Sequence, residues 1–164
     1  MPVKPKRIPP PPSTGFWLMK SEPEAYSIDQ FAKDKKTLWG GVRNYLARNL
    51  MTDSMKPGDK FFFYHSNAEP TAIVGLGEVI RPGVPDPSAF DKKSESFDPK
   101  SKKEAPTWTC AEVKFIKKFA KPITLEQLRS FSELSALPLL ARGQRLSVQQ
   151  VSAKDFAFIL EKLK

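Results

Sequence analysis

The sequence predicts an α+β domain, a small curved sheet or barrel with helices at its periphery. Three observations lead there. Runs rich in aromatic and β-branched residues recur at 16–20, 60–66, 71–80 and 107–119, as strands require. Capped or amphipathic segments open at Ser27, near Val42, at Thr124 and at Ser152, as helices require. The two kinds mix without βαβ regularity, which argues against a parallel sheet wrapped by helices. The chain has 164 residues, 40% of them hydrophobic and 12 of them Phe, enough for one domain with a real core.

Residues 1–15 read as a separate tail. Six of the 16 prolines fall in the first twelve residues, beside Lys4, Lys6 and Arg7 and no acid. Pro9 to Pro12 favour an extended polyproline form. A weak import signal, a basic arm on nucleic acid, a ligand for a proline-binding partner protein and a plain solvated tail all fit this composition.

The domain is expected over 16–164. Residues 16–20 form a short buried strand, stopped at Pro23, which has no N–H to pair. Ser27-Ile-Asp-Gln30 has capping-box spacing and opens a helix that buries Ile28 and Phe31. Residues 42–55 place Ala47, Leu50, Met51 and Met55 on one helical face. Pro57-Gly-Asp59 then turns the chain. In strand 60–66, Phe61 and Phe63 alternate with Phe62 and Tyr64, so both faces are buried. Strand 71–80 carries Gly75 and Gly77, which mark a bulge, a corner or the close approach of a ligand. Residues 81–106, rich in Pro, Ser and Lys, read as a long surface loop. Strand 107–119 follows, with Cys110 buried in it. Thr124-Leu-Glu-Gln127 is a second capping box. Residues 152–163 form the last helix, its buried stripe Phe156, Ile159, Leu160 and Leu163.

The charge balance is +9. A basic surface favours polyanions and puts nucleic acid first among partners. The single cysteine rules out an internal disulfide and a cysteine-built metal centre. No apolar run approaches the ~20 residues of a membrane span, and no secretory signal opens the chain. The expected setting is intracellular, nuclear or cytoplasmic, with no membrane, metal or cofactor.

Four segments carry candidate chemistry. The first is Trp39-Gly-Gly-Val-Arg-Asn44 at a helix start. Trp39 is either a core side chain or a stacking face for a base. Gly40 and Gly41 let backbone N–H groups approach a ligand. Arg43 offers a forked donor to phosphate or a base edge, and Asn44 offers a donor and an acceptor; either can instead be only a cap. The second is Lys20-Ser-Glu-Pro23 with Tyr26. A strand stopping at Ser21 leaves backbone groups for a base edge, and Lys20 reaches a phosphate. The third is Tyr64-His-Ser66. His65, the only His, is a general acid or base only with a positioned partner, and adjacent strand residues cannot pair with each other. The fourth, Arg142-Gly-Gln-Arg-Leu-Ser147, is a phosphate clamp or a solvated turn. Lys117, Lys118 and Lys121 read as basic surface or as protection of a strand edge. No phosphate-binding P-loop, dinucleotide glycine pattern or zinc-deaminase set is present in the sequence.

Phe16–Pro23, Trp39–Arg48, Phe61–Asn67 and Arg145–Ser147, in this order, closely resemble the EVE domain of the PUA-like superfamily. The match runs from about Phe16 to the last helix. The resemblance implies a PUA-like small β-barrel and a module that reads modified bases, with 5-methylcytosine and its oxidised forms in DNA as ligands. It implies a pocket built from Lys20, Ser21, Pro23, Trp39, Gly41, Val42, Arg43, Asn44, Tyr64, His65, Ser66, Arg145, Leu146 and Ser147. A remoter likeness to the YTH domain, which reads methylated adenine in RNA, keeps RNA open behind DNA. An enzyme acting on modified nucleotides through His65 is the alternative of a different class.

Overall fold

The computed structural model describes residues 13–164. The tail readings at residues 1–12 lie outside the described residues. Ser13 to Gly15 already belong to the domain. The Ser13 hydroxyl donates to Asp59, and the Thr14 hydroxyl donates to the Val151 carbonyl at 2.7 Å.

One six-stranded mixed sheet organises the molecule. Its strands are β1 (Phe16–Ser21), β2 (Lys36–Leu38), β3 (Lys60–His65), β4 (Ala72–Pro85), β5 (Thr109–Thr124) and β6 (Val148–Gln150). They lie in the order β2-β5-β4-β3-β1-β6. Only β1 and β3 run parallel, from Phe16 opposite Lys60 to Ser21 opposite His65. The expected barrel is therefore corrected: the sheet curves but does not close. The strands at its two margins, β2 and β6, have only three residues each and do not pair with one another.

Curvature has a local cause. The β4–β5 ladder shifts register four times, between Ile73 and Val84, and each irregularity adds twist. Two shifts fall at Gly75 and Gly77. A side chain at Gly75 would overlap Ile28, and one at Gly77 would overlap Phe61. The close approach expected at these glycines is made by the protein's own core.

The core has two parts, one on each face of the sheet. Alternation in β1 and β3 sends Trp17, Met19, Phe61 and Phe63 to one side. Leu18, Phe62 and Tyr64 go to the other, under α4 (Ala153–Lys162). The first face is covered by α1 (Ile28–Asp34), whose Phe31 stacks on Phe61 and Phe63. Ser27 caps α1 through Gln30 N, and Thr124 makes the full capping box of α3 (Leu125–Arg129).

The helix expected from Val42 starts later. Asn44 is its cap, α2 spans Tyr45–Asn49, and a π-helical turn continues it over Leu50–Ser54, closed by Met55 N on Leu50 O. Ala47, Leu50, Met51 and Met55 are buried as their spacing requires. The region 81–106 is also more ordered than a surface loop. β4 runs to Pro85, a 3-10 turn spans Pro87–Phe90, and Ala89 is fully buried.

Candidate functional site

A cleft of about 580 Å³ opens beside the end of β1 and the chain that follows β2. That volume lies within the ~300–1,000 Å³ common for small-ligand sites. Eight of the expected site residues line it: Lys20, Ser21, Trp39, Gly41, Val42, Arg43, Asn44 and Ser147. Ala25, Tyr26, Thr37, Leu38 and Gly40 complete the lining.

The residues from 39 to 44 are held by a carboxylate 45 positions away. Asp86 is 1% exposed. Its Oδ2 accepts from Gly41 N at 2.8 Å and from Arg43 Nη1 at 2.9 Å. Its Oδ1 accepts from Ser88 N and Ser88 Oγ. Burial opposes ionisation of Asp86, but Ser88, Gly41 N and Arg43 outweigh it and hold the carboxyl below its usual range. Gly40 has to be glycine here, since a Cβ on it would stand 2.8 Å from Asp86 Oδ1. Gly41 sits at φ +80°, where side chains are strained. The glycine pair thus serves the Asp86 contact, and the Gly41 N–H expected to face a ligand is already bonded.

Arg43 is likewise committed. Nε and Nη2 donate to the Ser96 carbonyl, Nη2 to the Ser88 hydroxyl, and Nη1 to Val42 O and Asp86. These contacts occupy its five donors. The expected phosphate fork is corrected to a structural brace. Its guanidinium also lies 5.0 Å from the centre of the Trp108 ring. Asp86-Pro-Ser88 is the sequence signature of a cap with Pro at the first helical position. That signal could have marked Asp86 as a cap but not its reach to Gly41.

Trp39 is 6% exposed. Its ring meets Phe61 and Phe63 edge-on, with centroids 5.6 and 5.2 Å apart, and its backbone N–H donates to Ala111 O. It is a core side chain that shows a margin to the cleft. Tyr26 is only half-buried and presents more of its ring. Its hydroxyl donates to Asp34 at 2.8 Å, and burial together with that bond pushes its pKa to about 12.

Three polar groups in the lining have no hydrogen bond or ion pair among the described residues. They are Lys20 Nζ, Asn44 Nδ2 and Ser147 Oγ. Asn44 spends its oxygen on Ala47 N at 3.0 Å, which leaves the amide donors free. Burial lowers the pKa of Lys20. Ser21 Oγ is bonded to Tyr26 O. Lys20 N donates to Ser147 O at 2.8 Å, which brings the end of β1 against the chain entering β6.

The other six expected residues lie outside the lining. Tyr64 is buried on the opposite face of the sheet. His65 Nε2 accepts from Ile28 N at 3.1 Å, so the ring is neutral and caps α1. Burial lowers its pKa most, Asp29 raises it and Lys118 lowers it. Ser66 N bonds Ser21 O, tying β3 to β1. Pro23 is half-buried, Leu146 packs on the first core, and Arg145 is exposed two residues before Ser147. Among the described residues, no group of three or more His, Cys, Asp or Glu is placed to hold a metal, and no helix is long and apolar enough to cross a membrane. Cys110 is buried, and burial pushes its thiol up to about 12.

The chain is an open mixed sheet with a cleft at one strand end, and comparison with known proteins gives it a family. The EVE domain model matches residues 15–162, and the chain belongs to that family. Mouse thymocyte nuclear protein 1 is 39% identical over 166 residues, covering 90% of this chain and 73% of that protein. A solved structure of a hypothetical protein from Leishmania major is 47% identical, with a TM-score of 0.85 over 90% of this chain and 93% of that one. The crystal structure of human THYN1 protein in complex with 5-methylcytosine-containing DNA is 35% identical, with a TM-score of 0.84 over 91% of this chain and 97% of that one.

Proposed function

We propose that this chain is a DNA-binding module that takes one modified base, 5-methylcytosine or an oxidised form of it, out of its stack and into the cleft. The observation that carries this reading is the composition of the lining. Apolar surface from Leu38, Val42 and Trp39 lies among three polar groups without a hydrogen bond or ion pair among the described residues, Lys20 Nζ, Asn44 Nδ2 and Ser147 Oγ. A base is an apolar plate with a polar edge, and a methyl group adds a small apolar projection to it. Kinship with human THYN1, solved with 5-methylcytosine-containing DNA, supports the same choice. Tyr26 and the margin of Trp39 contact the ring, and Asn44 and Ser147 read its edge. Lys20 and the exposed Arg145 meet the flanking phosphates. Extruding a base costs a few kcal/mol, which about 1–3 kcal/mol per aromatic contact and the phosphate contacts must offset.

Enzymatic use of His65 is the weaker reading, since that ring lies outside the cleft with Nε2 bonded to Ile28 N. The test is a titration with matched DNA and RNA oligonucleotides, plain or carrying one methylated or hydroxymethylated base. Preference for one modified DNA probe is expected. Equal, salt-sensitive affinity for all probes would overturn the reading.

A further inference from the structure

Two large apolar residues follow directly on the cleft-lining residue Asn44. Tyr45 is 61% exposed and Leu46 is 54% exposed. Single exposed apolar residues are ordinary on a protein surface. These two are adjacent, begin the helical turn that Asn44 caps, and exceed the remaining large exposed hydrophobic residue, Ile116, among the described residues.

The pair is also braced. Tyr45 stacks on Trp108 at 5.0 Å and 14°. Trp108 is itself fixed by Nε1 donating to Asp98 at 2.8 Å. Arg48 lies 4.7 Å from the Tyr45 ring centre, its guanidinium held by Thr107 O and Asn49. An aromatic already ordered before binding loses little entropy on contact. Asn44 fixes the backbone start of the same turn.

We propose that Tyr45 and Leu46 form a wedge for the duplex around the held base, Leu46 entering the step that the base vacates and Tyr45 lying against the neighbouring pair. Apolar side chains fill such steps in proteins that unstack DNA. The occupant is duplex DNA rather than a protein because the braced pair carries the positive guanidinium of Arg48, and the free ammonium of Lys20 lines the same cleft. Both cations suit a phosphate backbone that runs past the apolar pair. This inference rests on the modified-base reading above.

The experiment compares wild type, Leu46→Ala and Tyr45→Ala on three probes: a duplex with one 5-methylcytosine, the same duplex unmodified, and the methylated strand alone. Both residues are exposed, and an unchanged thermal midpoint verifies folding. Leu46→Ala is expected to weaken the methylated duplex about tenfold and the single strand under about threefold, because the strand has no vacated step to fill. Equal loss on both probes overturns the wedge, as does no loss on the duplex while wild type still prefers the methylated one; in each case the reader stands. Absence of any preference in wild type removes the reader and the wedge with it. A change of oligomeric state in Leu46→Ala overturns the wedge and assigns the pair to contact between copies.

Discussion

Asp86 Oδ2 and Arg43 Nη1 meet at 2.9 Å, with Asp86 Oδ1 on Ser88 and Arg43 Nε on Ser96. This pair joins the chain after β4 to the segment that lines the cleft, and it makes the segment 39–44 a rigid wall.

Asp86→Ala leaves the Gly41 N–H and the Arg43 guanidinium without their acceptor. Removing one partner of a buried pair costs about 3–5 kcal/mol, and the partial exposure of Arg43 places the expected loss near the lower end. Urea unfolding measures it. Ligand affinity should fall in step, since the wall loses its anchor. Wild-type stability in this variant would remove the structural role given to the pair.

Trp39→Ala should destabilise the fold by about 3–5 kcal/mol, as large-to-small changes in a packed core do. The variant is therefore a poor probe of recognition. A denaturation midpoint close to wild type would return Trp39 to the role of a free stacking face.

Asn44 allows its two roles to be separated. Asn44→Ser keeps an oxygen for Ala47 N, so stability should change by less than about 0.5 kcal/mol, whereas Asn44→Ala should lose about 1 kcal/mol. Both lack the free amide donors and should bind a modified probe several-fold more weakly. If Asn44→Ser binds like wild type, the amide does not read the ligand.

His65 gives a pH dependence of defined sign. Its folded pKa lies below the ordinary value of about 6.5, so the folded state holds the neutral ring and the unfolded chain takes up the proton first. The stability it contributes is complete above about pH 6.5 and is lost as pH falls from there toward the folded value. The thermal midpoint of wild type should therefore drop more between about pH 7.5 and about pH 5.5 than that of His65→Gln. Asp29, which also acts on this ring, is held below the usual carboxylate range by the Lys118 ammonium beside it. Equal drops would show that His65 is not linked to folding.

The legibility of this chain follows the range of its interactions. Alternation of Phe61 and Phe63 with Phe62 and Tyr64 is a local pattern, and it placed a strand buried on both faces. The caps at Ser27 and Thr124 are equally local. The strands at Lys36–Leu38 and Val148–Gln150 were not legible, since three residues carry no periodicity and exist through their ladders with β5 and β1. In the cleft, the 39–44 segment is legible as a local cluster, but which of its groups are already bonded is not. Gly41 and Arg43 look available until Asp86 arrives from 45 residues downstream. His65 looks like chemistry until Ile28 N meets it. The family resemblance puts Tyr64 in the pocket, whereas strand alternation turns it to the opposite face.

The bond from Lys20 N to Ser147 O also bears on biosynthesis. The cleft draws on residues from near the start of the described chain and from close to its end, more than 120 positions apart. A growing chain that has passed Asn44 but not Ser147 holds Lys20, Trp39 and Asn44 without a closed cleft. Such long-range closure comes late in folding, after the local hairpins. A chain cut before Ser147 therefore lacks one wall of the cleft, however well its first strands and helices have formed.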